Sequence, residues 1–137
     1  MKSLNRLILI TAVAPCFGGP AAADEAVVSQ RPTMVLKQII EGMPKADKQE
    51  VRVLLGIIEP GQKTVFHSHQ APVTFYVLEG TFTLEIEGRP TVTVKKGEAF
   101  IEPTNTNLTG YNKSATERMT AVLFQVSDPD KPWLDLK

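Results

Sequence analysis

Apolar and polar residues alternate with a period of two over most of the chain beyond residue 33, the pattern of strands that bury one face. In Thr81-Phe82-Thr83-Leu84-Glu85-Ile86-Glu87 the apolar set is Phe82, Leu84 and Ile86, and in Thr91-Val92-Thr93-Val94-Lys95 it is Val92 and Val94. Gly88-Arg89-Pro90 between them predicts a turn, so the two segments read as a hairpin with one buried face. Further strands are predicted at Met34–Ile40, Val51–Ile58, Gln62–His69, Val73–Leu78, Ala99–Glu102 and Met119–Val126, with turns at Glu59-Pro60-Gly61, Glu79-Gly80, Lys96-Gly97 and Pro103–Asn107. No stretch carries a helical stripe. Residues 24–33 read as a loose leader into a strand-rich domain over 34–126, and residues 127–137 as a tail whose Trp133 needs somewhere to pack.

The first residues follow a different pattern. Lys2 and Arg6 precede the short apolar run Leu7–Ala14, and Ala21-Ala22-Ala23 closes it, as in a secretory signal peptide cleaved after Ala23. Its apolar run of about eight residues falls far short of the roughly 20 that span a bilayer, so no membrane span is expected. Residues 1–23 are thus read as a leader and the mature protein as secreted or periplasmic.

Composition then narrows the chemistry. Of 137 residues, 15 are Lys or Arg and 15 Asp or Glu, and no basic cluster exceeds Lys95-Lys96, which argues against nucleic acid as a partner. Cleavage would remove Lys2, Arg6 and the single cysteine, Cys16, leaving a slightly acidic domain with no thiol for a disulfide, a nucleophile or a metal. The domain retains 12 Val, 12 Thr and 6 Ile against 6 Ala, a balance that favours sheet. No nucleophile elbow accompanies its Ser, His and Asp residues, so triad hydrolysis has no support. The two histidines are His67 and His69, whose i, i+2 spacing puts both on one face of a strand.

Gly61-Gln62-Lys63-Thr64-Val65-Phe66-His67-Ser68-His69 followed by Phe75-Tyr76-Val77-Leu78-Glu79-Gly80 resembles the first motif of the cupin superfamily: G, five residues, H-x-H, three or four residues, E, six residues, G. Gly97, Pro103 and Asn112 fall at the spacings of its second motif: G, five residues, P-x-G, two residues, H, three residues, N. The resemblance covers about residues 50–126 and implies an all-β fold, a double-stranded β-helix or jelly-roll barrel with both histidines facing its interior. It also implies four metal ligands, two of which are absent: Val73 stands where the motif has Glu and Leu108 where it has His, while Asn105 replaces the motif's second Gly.

Glu102 is the candidate to complete a reduced site. It shares parity with Phe100, opposite to Ala99 and Ile101, and occupies a slot that cupins usually fill with an inward apolar residue. The sequences His-Gln-Ala-Pro-Val and Ile-Glu-Pro are similar to a subgroup of small secreted cupins with such an E-P pair. His67, His69 and Glu102 would form a 2-His-1-carboxylate set, suited to non-haem Fe(II) and tolerable for Mn, Ni or Zn. Tyr111, Gln125, Gln62 and Thr74 are candidate polar groups of a pocket. Two readings follow: a metal-dependent cupin acting on a small oxygenated molecule, dioxygenase-like or isomerase-like, or a non-catalytic cupin that binds or senses a small ligand without metal. The resemblance also implies a homodimer.

Overall fold

The computed structural model describes residues 31–137. The expected signal peptide, residues 1–23, and residues 24–30 of the leader segment lie outside the described residues. Among the described residues nine strands follow in order: β1 Glu50–Ile58, β2 His67–Ser68, β3 Val73–Glu79, β4 Thr81–Ile86, β5 Val92–Lys95, β6 Ala99–Glu102, β7 Leu108–Tyr111, β8 Met119–Ser127 and β9 Asp135–Leu136. They form a four-stranded sheet ordered β1-β8-β3-β6 and a five-stranded sheet ordered β5-β4-β7-β2-β9. Every ladder pairing of the nine strands is antiparallel. The chain crosses between sheets at most connections, which makes the all-β jelly roll that the cupin resemblance implies.

The alternation explains the core. Phe82, Leu84 and Ile86 of β4 turn inward against Phe75 and Val77 of β3, Val94 of β5, Leu108 of β7, and Met119 and Ala121 of β8. Phe75 and Phe82 meet edge to face with centroids 5.2 Å apart. Each such side chain contributes about 1.5–3 kcal/mol when fully buried. The step from β3 to β4 depends on Gly80, whose φ of +72° is left-handed and whose missing Cβ leaves room for the Arg118 carbonyl. Asn112 fastens the far side of the barrel. Its buried amide donates to the Ile58 carbonyl at 2.9 Å and the Glu117 carbonyl at 2.7 Å, while its oxygen accepts from the Ser114 N–H at 3.1 Å.

Several expectations need correction. Met34–Ile40 is not a strand: the segment has no partner strand among the described residues and leaves Met34, Val35 and Ile39 exposed. The strand expected over Gln62–His69 contracts to His67–Ser68, with Lys63 reaching Tyr111 and His69 reaching Thr104 only as isolated bridges. Leu108–Tyr111, read as following a turn, is the strand β7. Within 127–137, Ser127 closes β8 and Asp135–Leu136 add a strand alongside β2.

Candidate metal centre

The interior near the start of β3 is polar. His67, His69 and Glu102 are 5%, 1% and 3% exposed, as deeply enclosed as the apolar core. The two sheets supply them separately. β2 and the residue after it carry the histidines, while β6 carries Glu102 at the end of its short run beside β3. One ligand atom from each of the three residues lies within 4.8 Å of the others, and among the described residues no other trio of such side chains converges in this way.

Hydrogen bonding fixes what these atoms can do. His67 Nδ1 lies 2.7 Å from the Val65 carbonyl and His69 Nδ1 lies 2.8 Å from the Trp133 carbonyl. A carbonyl only accepts, so each Nδ1 carries a proton, and each ring when neutral presents an Nε2 lone pair inward. Those two Nε2 atoms are 3.1 Å apart, and His69 Nε2 is 3.1 Å from Glu102 Oε2. Glu102 Oε2 is itself buried without a hydrogen-bond donor. With both rings neutral, three acceptors converge in a buried space, a costly arrangement unless a cation lies among them. A proton on His69 Nε2 points in one direction, whereas a metal ion accepts all three lone pairs. Ligand atoms about 2.1 Å from one ion at right-angled to tetrahedral spacing sit about 3.0–3.4 Å apart, which two of the separations match at 3.1 Å while the trio as a whole lies within 4.8 Å.

The register accounts for the substitutions in the motif. Val73 lies directly across from Glu102 on β6 and from Gln125 on β8, so the carboxylate has moved one strand sideways from the motif position. Leu108 lies directly across from His67 and is buried beside it, so the fourth ligand position is filled with an apolar side chain. Asn105, at the motif's Gly position, keeps a left-handed φ of 50°. Its N–H donates to the His69 carbonyl at 2.7 Å and steadies the ligand from its backbone side.

Of the other polar residues singled out from sequence, only Gln125 belongs to this region. It is buried, donates to the Ala71 carbonyl at 3.3 Å and accepts from Arg52 at 3.4 Å. Gln62 is exposed, and Thr74, one residue from inward-facing Val73, pairs with Ile101 and Phe124 on the other face. Tyr111 lies with Lys63 and Lys113 over its ring, and a hydrogen bond to Glu85 pushes its hydroxyl above the usual phenol range. A groove of about 440 Å³ opens beside the centre, with Gln70, Ala71, Gln125 and Ser127 in its wall and Lys45 and Lys131 among its lining residues. The three candidate ligands do not line it. Sequence reasoning missed Trp133 as the partner of His69, because a backbone carbonyl carries no residue signature.

A family model described as a cupin domain matches residues 54–124. No curated protein sequence matches the chain. Among solved structures the chain is similar to the DMSP lyase DddQ from Ruegeria pomeroyi, at 17% identity and a TM-score of 0.56, covering 64% of this chain and 43% of that one. It is similar to a cupin-like protein from Thermotoga maritima at 24% identity and a TM-score of 0.54, covering 63% of this chain and 65% of that one. It is also similar to the vicilin from Solanum melongena at 17% identity and a TM-score of 0.55, covering 62% of this chain and 23% of that one. The aligned part is thus less than two thirds of each of these three proteins, and the likeness is one of fold.

Proposed function

The chain belongs to the cupin family, and from that premise we propose that it binds one divalent transition metal through His67, His69 and Glu102 and acts on a small oxygenated molecule. The observation that carries this reading is the convergence of three buried potential ligand atoms, the Nε2 atoms of His67 and His69 and the Oε2 atom of Glu102, the last with no hydrogen-bond partner. Two neutral imidazoles and one carboxylate suit Fe(II), Mn(II), Ni(II) or Zn(II). When bound, such an ion supplies Lewis-acid polarisation of a coordinated oxygen.

The protein's own residues do the rest. His67 and His69 hold their lone pairs inward through their Nδ1 bonds, and Glu102 supplies the one negative charge. A divalent ion held by two neutral imidazoles and one carboxylate would leave a net +1 charge, which would favour an anionic oxygen ligand such as a small acid or enolate. The groove beside the centre offers space for a small molecule next to the three candidate ligands, with Lys45 and Lys131 but also Asp128 and Asp135 among its lining residues. The deep burial of the three side chains favours a second reading, a non-catalytic cupin that binds a small ligand without metal. The fold accommodates either, since it is shared by a lyase and by a vicilin whose structurally similar pockets hold different anionic ligands.

The test is zinc and manganese titration of chelator-stripped protein. The proposed site takes up one ion per chain in the wild type and loses it in His67→Ala and Glu102→Ala. Absence of uptake in the wild type, or equal uptake in both variants, overturns the site.

Two further features belong to the proposal. The apolar row Val51, Val53, Leu55 and Ile57 on the outer face of the edge strand β1, flanked by Phe124, supports a homodimer through this sheet, which light scattering tests. The leader sequence supports export, which the N-terminal residue of protein recovered from the periplasm tests: Asp24 is expected, and Met1 contradicts it.

A further inference from the structure

We propose that the carboxy-terminal segment 133–137 is a positioning element for His69, selecting the tautomer that leaves Nε2 free, and that its docking sets the affinity of the centre for metal. The affinity clause rests on the metal reading above; the tautomer clause holds in the metal-free protein.

The two histidines differ in where their Nδ1 protons go. His67 donates to Val65, two residues back along the same segment, so its tautomer is fixed locally. His69 donates to Trp133, 64 residues away. The Trp133 ring packs edge-on against His69 with centroids 5.1 Å apart, so the side chain that supports the ring also places the acceptor. Beyond it, β9 pairs His67 with Leu136 and Ser68 with Asp135, the Lys137 N–H donates to the Phe66 carbonyl at 3.2 Å, and the Gln70 amide reaches both oxygens of Asp135 at 3.1 and 3.2 Å. β2 has only two residues and one register pair with β7, so β9 provides the ladder on its other side.

Loss of this segment does more than loosen a strand. With the Trp133 carbonyl gone, the Nδ1–H of His69 has no acceptor from the protein, while Glu102 Oε2 and His67 Nε2 stand 3.1 Å from Nε2. The neutral ring then lowers its free energy by moving its proton to Nε2 and donating into the cluster. That proton occupies the lone pair a metal needs. Outer partners of this kind alter metal affinity by about 10–100-fold.

The experiment uses the full chain carrying Trp133→Gly and Asp135→Pro, which remove the ring contact and the β9 pairing without shortening the protein. Imidazole ¹⁵N spectra of metal-free protein give the tautomer of each ring, and competition with a chelator gives the zinc affinity. The expected result is a shift of His69 from Nδ1–H to Nε2–H with His67 unchanged, a zinc affinity lower by about 10–100-fold, and recovery of both in Trp133→Phe. If the double variant misfolds, Trp133→Ala is read in the same way. A folded variant in which both rings keep Nδ1–H and zinc affinity is unchanged overturns the proposal. Wild-type protein that takes up no zinc, with the His69 shift still present, removes the metal reading but upholds the positioning.

Discussion

Phe75 and His69 are equally enclosed in one barrel interior, yet their surroundings follow opposite rules. Around Phe75 the neighbours are Val77, Phe82, Leu84 and Met119, and burial itself is the stabilising term. Around His69 the neighbours are His67, Glu102 and the Trp133 carbonyl, and burial is a cost that each polar atom must recover from a partner. The apolar region is complete as it stands, whereas the polar region leaves three potential ligand atoms facing one another, with Glu102 Oε2 unpartnered. Stability is therefore expected to come from the first, and ligand dependence from the second.

That division can be broken from either side. The largest effect is expected for Leu84→Ala, which opens a cavity in the apolar region and costs about 2–5 kcal/mol in urea unfolding while zinc uptake per folded chain stays unchanged. A parallel loss of zinc uptake would show that the two regions are one. Next, metal at about 100 times its Kd stabilises the native state by about 2.7 kcal/mol, and a chelator removes that increment from the wild type and from Leu84→Ala alike. A Tm indifferent to chelator contradicts the metal reading.

Glu102→Gln sharpens the contrast further. Its amide can donate to the His69 Nε2 lone pair, so metal-free protein is expected to gain about 0.5–1.5 kcal/mol while metal uptake is lost. A less stable metal-free variant would show that the carboxylate is already satisfied. The smallest effect belongs to the rim. Glu50 is held below the usual carboxylate range by its hydrogen bond to Arg52, so the stability this pair adds is present at neutral pH and is lost as pH falls through the lowered value. The wild-type advantage over Arg52→Ala in urea midpoint should thus shrink on acidification, and an advantage that grows instead would contradict it.

Much of this contrast is legible in the sequence. Alternation locates most of β1, β3, β4, β5, β6 and β8, because each is long enough to show a buried face. The i, i+2 spacing puts the histidines on one face, the cupin resemblance turns that face and the Glu102 slot inward, and the structure brings those three side chains together. β7 and β9 escape the same reasoning. Leu108-Thr109-Gly110-Tyr111 has a glycine in place of a second inward apolar residue, where the Phe82 ring lies against the backbone and leaves no room for a Cβ. Two residues are too few for β9 to show any period. The exposed Met34–Ile40 run shows the converse failure, since apolar residues without a partner strand do not make a ladder.

The central claim is that the cluster is built around a cation. Crystals grown with excess zinc and measured at the zinc edge test it most directly. The expected result is an anomalous peak about 2.0–2.2 Å from His67 Nε2, His69 Nε2 and an oxygen of Glu102, with both Nδ1 atoms still on their carbonyls. No peak among these atoms, with His69 Nε2 remaining 3.1 Å from Glu102, would contradict it.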